Sequence, residues 1–328
     1  MNFSAKDDAD LASLAARMVT GPVLFAAADA ERRLTDWLAD VSPEEAAAIT
    51  AITGQFPHAH ASIAGIAEAS PYLFDLMRAD AGRLVRLLRC RPDAHFAALI
   101  AKAAADVPTA TDQAEAMHLL RRLKAEAALM IALCDIGGVW PVMRVTQALT
   151  DLAVTSVQCA LRFLLLQEVA RGKLSPPVPE RPEDGSGLVV LAMGKMGAGE
   201  LNYSSDVDLI VFFDLAAPTL APDIEPQPFF VRLTQGLARM LQQRTGDGYV
   251  FRVDLRLRPD PASTPVAIST AAALGYYERE GRTWERAAMI KARPCAGDLV
   301  AGEALVGEIA PFVWRKHLDF AALADVHG

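Results

Sequence analysis

Cysteine is scarce in this sequence. Its four residues, Cys90, Cys134, Cys159 and Cys295, lie far apart and form no CxxC pair. That excludes a disulfide scaffold and a zinc ribbon, and reads as buried thiols in a reduced, cytoplasmic setting. An excess of base is lacking too: 32 Lys and Arg stand against 40 Asp and Glu, a net charge of −8. A broad nucleic-acid surface is therefore not expected, because such affinity rests on clustered Lys and Arg. A local basic pocket stays open. "MNFSAKDDADLASL" carries acid and no apolar core, so no signal peptide is expected. The most apolar stretch, 141–170, is broken by Arg144, Gln147, Asp151, Gln158 and Arg162, which argues against a membrane span. Neither GxGxxG nor a Walker loop occurs, and no Ser-His-Asp arrangement or internal repeat is evident.

What is present is enough apolar residue, 52% of 328, to bury a sizeable core, in a length that suggests two domains. Residues 1–171 are rich in Ala and Leu and read as helix after helix. Leu119, Leu123, Ala127, Met130 and Cys134 share one face at helical spacing, and Leu149, Leu152, Cys159, Phe163 and Leu166 share another. "TGQFPH", "RPDAH" and "ADVPTATD" read as breaks, with His58 and His60 as loop residues. Residues 172–187, with their prolines and acids, read as a linker or long loop. From 188 to 328 the pattern is mixed. "LVVLAM" and "VDLIVFF" read as strands, "PFFVRLTQGLARMLQQR" as a helix, "YVFRVDLRLRP" as an alternating strand and "ISTAAALGYYEREG" as a helix. Few of the helices of 1–171 are long enough to stand alone, so that region is expected to pack on the second as a layer.

The chemistry gathers between the first two strands, in "GKMGAGELNYSSD". Gly194, Gly197 and Gly199 would let backbone approach a phosphate, and Lys195 would add a charge; a plain strand-to-helix turn fits equally. Asp206 and Asp208 share a strand face, since residues i and i+2 do. Two such carboxylates repel unless a cation lies between them, and Mg²⁺ is commonly held by one or two carboxylates plus phosphate. Two solvated acids at a strand end are the plainer alternative. A third acid, Asp254, alternates with Arg252, Arg256 and Arg258 on the polar face of "YVFRVDLRLRP". If that strand lies beside "VDLIVFF", Asp254 reaches the same place and Arg256 and Arg258 flank it as phosphate clamps. Such a set describes two-metal phosphoryl or nucleotidyl transfer.

The string "GKMGAGELNYSSDVDLIVFF", followed by "VDLRLRP" and "YYEREGRTWERAAMIKARP", resembles the bacterial glutamine synthetase adenylyltransferases of the DNA-polymerase-β-type nucleotidyltransferase superfamily. The likeness runs through the helical lead, "CDIGG" and "FVWRKHLDF". It implies an α+β fold: a mostly helical N-terminal region, then a polymerase-β-like domain with a small mixed sheet flanked by helices. It implies a bifunctional enzyme with two tandem catalytic domains that adds AMP to a tyrosine of glutamine synthetase and removes it, regulating nitrogen assimilation. "ELNYSSD" is similar to the N-terminal copy, which releases ADP with inorganic phosphate. One such site is present and the chain stops at "LADVHG", so a piece of a longer protein is expected. By position the resemblance makes Asp206, Asp208 and Asp254 catalytic ligands of Mg²⁺, two ions. It makes Gly194, Lys195 and Ser205 phosphate-loop positions, and Arg256, Arg258, Lys291 and Arg293 bases near the phosphates. The implied partners are glutamine synthetase, ATP, ADP, AMP, inorganic phosphate and the PII signal protein, with neither nucleic acid nor membrane. Trp284 and Met289 read as core, Glu285 with Arg286 as an internal salt bridge, and Asp214 as a turn acid. Two alternatives stand: forward nucleotidyl transfer to another protein, and a non-catalytic helical module with a vestigial nucleotide pocket.

Overall fold

The computed structural model describes residues 12–217 and 219–314. Most of the acidic N-terminal stretch behind the signal-peptide expectation, and the end of "FVWRKHLDF", lie outside the described residues. The chain forms two compact units. Of the described residues, one takes those up to Lys102 together with Arg122–Leu149; the other takes Ala103–Arg121 together with those from Thr150 to Trp314.

The first unit is helical. It holds α1 (Leu14–Arg17), α2 (Ala27–Asp40), α3 (Pro43–Gln55), α4 (Pro57–Ala69), α5 (Pro71–Ala79) and α6 (Ala81–Arg89). It also holds most of α7 (Pro92–Asp106), the later part of α8 (Gln113–Ile136) and the start of α9 (Val142–Ala170). Proline opens α3, α4 and α5, where its missing N–H would have no intrahelical partner anyway. The Ser42 hydroxyl accepts from the Glu45 N–H at 3.3 Å, and the Asp80 carboxylate from the Arg83 N–H at 2.8 Å. Because Pro57 starts a helix, the break expected over "TGQFPH" shrinks to Phe56. His58 and His60 therefore lie in α4 and not in a loop. Leu34, Trp37, Ile49, Ile63, Ile66, Met77, Leu84 and Leu88 form the buried interior, and each such side chain contributes about 1.5–3 kcal/mol by leaving water.

In the second unit β1 (Leu188–Ala192) and β2 (Val207–Phe213) are apolar nearly throughout and buried along their lengths, as central strands covered on both faces should be. They pair antiparallel, Val190 opposite Val211. β5 (Arg293–Gly297) pairs antiparallel with the other side of β1. The far side of β2 carries two short parallel partners in succession: β3 (Val253–Asp254) at its start and β4 (Ala267–Ser269) at its end. This is the small mixed sheet implied by the resemblance.

The one-turn α10 (Gly194–Gly197) follows β1, and α11 (Pro226–Gln242), α12 (Thr270–Arg279), α13 (Thr283–Met289) and α14 (Leu299–Val313) complete the unit. Val189, Leu191, Ile210 and Phe212 pack with Tyr277, Met289, Leu305, Ile309 and Phe312, while Phe213 stacks on Phe230 of α11 at 4.7 Å.

Several earlier-chain residues belong to this unit. Arg121, 2% exposed, donates to the carbonyls of Met117, Met240, Gln243 and Gly248. Gln158 donates to Cys295 O at 2.8 Å, and Thr150 Oγ accepts from the Leu201 N–H at 3.1 Å. The 172–187 stretch is irregular but anchored, with Leu174 buried and bridged to Leu220. By length and hydropathy α9 could cross a membrane, but 67% of its apolar window is buried within the structure, as in a core helix.

Four expectations are corrected. "YVFRVDLRLRP" is a strand only at Val253–Asp254, because the Asp254 carboxylate accepts the Arg256 N–H at 2.8 Å and turns the chain out of the ladder. "ISTAAALGYYEREG" begins as β4 before α12, whose cap is Ser269. Trp284 is 40% exposed, whereas Met289 is core as expected. Glu285 does not pair with Arg286: adjacent helical residues point in different directions. Glu285 accepts from Tyr276 Oη at 3.0 Å and the Arg282 N–H at 2.7 Å, and Arg286 donates to Phe312 O at 3.1 Å. Asp214 is the turn acid expected, accepting from the Ala216 N–H at 2.8 Å.

Candidate active site

Asp206 immediately precedes β2 and Asp208 is the second residue of that strand. The first pairing of β3 puts Val253 opposite Val207 and Asp254 opposite Asp208, in parallel register. Val207 N donates to Arg252 O at 2.9 Å and secures the junction. The backbone thus carries three carboxylates, separated by up to 48 residues in sequence, at one end of the sheet.

Their environments differ. Burial, then the negative charges of Asp254 and Asp206, push the Asp208 carboxyl above the usual carboxylate range. Asp254 goes the other way. The Arg256 guanidinium grips it in a fork, Nε lying 3.0 and 2.9 Å from its two oxygens, and holds its carboxyl below the usual range. Asp206 accepts from Arg252 Nε, whose Nη2 also donates to Ser204 O at 3.1 Å. Arg252 is the site residue the sequence reading left unassigned. The signal was available, since it lies two residues before Asp254 on the same alternating face.

Gly194 adopts φ +52° beside this cluster, and a Cβ there would lie 3.1 Å from Asp208 Oδ2. Gly197 is required for another reason: a Cβ would fall 2.0 Å from Lys291 O. Lys195 is exposed on α10. Ser205 Oγ donates to Asn202 Oδ1 within the loop. Lys291 Nζ is 3.0 Å from Glu200 Oε2. Arg293 donates to the Gly197 and Met196 carbonyls at 3.1 and 3.4 Å, tying β5 to the end of α10.

Arg258 is placed differently from its expectation as a phosphate clamp. It is 9% exposed and donates to the carbonyls of Leu255, Pro261 and Thr264 at 2.7, 2.8 and 2.9 Å. With the strand ended at Asp254, the alternation that would have kept Arg258 beside the acids is lost. A cavity of about 810 Å³ lined by Arg162, Glu183, Asp298 and Val300 lies apart from the acids.

The donor set suits a hard divalent cation, being all carboxylate oxygen, and the missing side chain at Gly194 leaves Asp208 Oδ2 uncrowded. Among the described residues, no three His, Cys, Asp or Glu side chains converge as ligands. Asp206 and Asp254 are each turned onto an arginine instead.

A family model described as glutamate-ammonia ligase adenylyltransferase matches residues 60–306. The bifunctional glutamine synthetase adenylyltransferase/adenylyl-removing enzyme of Rhodopseudomonas palustris (strain BisB5) is 71% identical over 328 residues, covering 100% of this chain and 33% of the relative. Its namesake in Bradyrhizobium diazoefficiens is 71% identical over 329 residues, again 100% of this chain and 33% of the relative. That of Xanthobacter autotrophicus is 54% identical over 321 residues, 98% of this chain and 32% of the relative. The chain spans about a third of the length of the curated relatives it matches. A match over most of the chain, on a sheet that carries its acids in the expected register, shows that the chain belongs to the glutamate-ammonia ligase adenylyltransferase family.

Proposed function

We propose that this chain is the adenylyl-removing portion of a bifunctional glutamine synthetase adenylyltransferase, acting on the adenylyl-tyrosine of glutamine synthetase with inorganic phosphate. The observation that carries the reading is Asp254 opposite Asp208, two residues beyond Asp206 and against Gly194. The relatives' name covers both adding and removing. The choice of removal rests on "ELNYSSD" and its similarity to the family's N-terminal copy.

In the proposed reaction an oxygen of inorganic phosphate bonds to the AMP phosphorus, and the bond from that phosphorus to the tyrosine oxygen breaks. ADP and free tyrosine result. The leaving phenolate, of pKa about 10, takes its proton from water, so no dedicated acid is required. Asp206, Asp208 and Asp254 would hold Mg²⁺, in two ions. Bound there, Mg²⁺ would neutralise the phosphate oxygens and offset repulsion between an anionic nucleophile and an anionic diester. Arg256, paired with Asp254, and Lys195, exposed on α10, would meet the incoming phosphates. Ser205 shapes the loop, Lys291 and Arg293 brace it, and Arg258 fixes the turn after β3. ATP, ADP and AMP are the nucleotides of this reading. The PII signal protein is its regulatory partner, on the family resemblance, and the cytoplasm its setting.

The test is incubation with adenylylated glutamine synthetase, Mg²⁺ and phosphate, following ADP. A parallel reaction uses unmodified glutamine synthetase with ATP, following AMP incorporation. ADP release that Asp206→Asn and Asp208→Asn each abolish supports the reading. AMP incorporation without ADP release reassigns the chain to the adding reaction, and inactivity in both leaves a binding module.

A further inference from the structure

We infer that Arg252 and Arg256 are internal counter-ions that a divalent cation displaces from Asp206 and Asp254, and that the freed guanidiniums then bind the phosphate arriving beside the cation. The inference rests on the reading that the three carboxylates hold such a cation.

The two arginines contrast with the other bases near the site. Arg258 and Arg293 donate to main-chain carbonyls and hold loops in place. Arg252 and Arg256 instead each cover one carboxylate, from the flanks of β3, with side chains 57% and 84% exposed. The Arg252–Asp206 pair is exposed at both ends, and in the other the guanidinium is exposed although Asp254 is largely covered; water screens the exposed arginines, and ordering such long side chains costs entropy. They are well placed for exchange.

Three carboxylates and two guanidiniums leave the cluster with one negative charge. A divalent cation gathering several carboxylates at once gains more than either arginine does from one. Once it enters, the same groups carry one positive charge, and two forks shaped for phosphate oxygens stand at its edge. Arg252 precedes β3 and Arg256 follows it, each already paired with a carboxylate of the cluster, so release requires side-chain rotation and no change in the sheet.

The experiment uses the full chain and Mn²⁺ alone, titrated while free Mn²⁺ is followed by electron paramagnetic resonance. Inorganic phosphate is then titrated calorimetrically into the Mn²⁺-loaded protein. Arg252→Gln and Arg256→Gln should bind Mn²⁺ about threefold or more tighter, since a weak competing pair has gone. Their phosphate affinity should fall by a similar factor. Arg252→Lys should stay near wild type in Mn²⁺ affinity, and melting temperatures should hardly change. If wild type binds Mn²⁺, Asp208→Asn abolishes that binding and the arginine variants leave it unchanged, the counter-ion role is overturned while the metal reading stands. Tighter Mn²⁺ binding with unchanged phosphate affinity overturns the hand-over to phosphate. If none of the proteins binds Mn²⁺, the metal reading falls and the inference with it.

Discussion

Asp208 and Asp254 face each other across a parallel strand pair, with Arg256 attached to Asp254 alone. Like charges directly opposite on a sheet destabilise it, and burial, then the charges of Asp254 and Asp206, raise the Asp208 carboxyl. Asp208→Asn should therefore raise the melting temperature at pH 7 while abolishing turnover. The sign follows from linkage: a carboxylate whose folded pKa lies above its unfolded value costs stability only when ionised. The gain should fade as the pH falls below about 4, where Asp208 is protonated in folded and unfolded chains alike. Thermal melts of both proteins from pH 3 to 8 check this, and a lower melting temperature for Asp208→Asn at pH 7 would contradict it.

Arg258 and Arg256 should separate by the kind of damage their loss causes. Arg258→Met strands carbonyls of Leu255, Pro261 and Thr264 in a half-buried turn and should cost about 2 kcal/mol or more. Arg256→Ala should leave stability nearly unchanged and raise the phosphate requirement. Urea denaturation beside phosphate-dependent kinetics reads both, and the reverse pattern would exchange their roles.

Gly197→Ala should be severely destabilising, by about 1–3 kcal/mol or more, because the added methyl would fall 2.0 Å from Lys291 O. Main chain cannot rotate away as a side chain can. The strain should reach β5 through Arg293. Hydrogen exchange at Cys295 and Ala296, faster in the variant than in wild type, is the local readout.

A fragment beginning at Gly185 should fail to fold. It removes Arg121, Thr150 and Gln158, each bonded within the second unit. Circular dichroism and gel filtration of the fragment decide it, and a monomeric, cooperatively melting fragment would contradict it.

The thiols should resist labelling in the native state. Burial pushes Cys159 and Cys295 up to about 12, and Cys134 is raised still further, so almost no thiolate exists near neutrality. Ellman's reagent at pH 8 should react with Cys134, Cys159 and Cys295 only after denaturation, and with the half-buried Cys90 slowly before it.

The parts legible in the sequence were those whose local pattern and tertiary setting agree. "VDLIVFF" is β2 to the residue, and α11 differs from its reading only at the ends. The third carboxylate could be placed because the strand pairing needed only two residues to be right. β5 was not legible: Arg-Pro-Cys-Ala-Gly has neither alternation nor branched residues, and only pairing with β1 makes it a strand. The polar face of "YVFRVDLRLRP" misled beyond Asp254, since an Asx turn leaves the same residue types in a different place. The ion pairs of Arg252 and Arg256 lie at the level of side-chain geometry, which spacing alone does not reach.

The buried guanidinium of Arg121 also sets a timetable. Three of its four carbonyl partners, Met240, Gln243 and Gly248, lie 119 to 127 residues further along the chain. At about 5–20 residues per second, the ribosome needs roughly ten seconds between making the arginine and making those partners. Through that interval the first turns of α8 carry a charge that cannot enter an apolar interior without them. The second unit therefore closes late in synthesis, after α11 has emerged, and a pause at the codons for α11 would prolong the time its early helix waits in water.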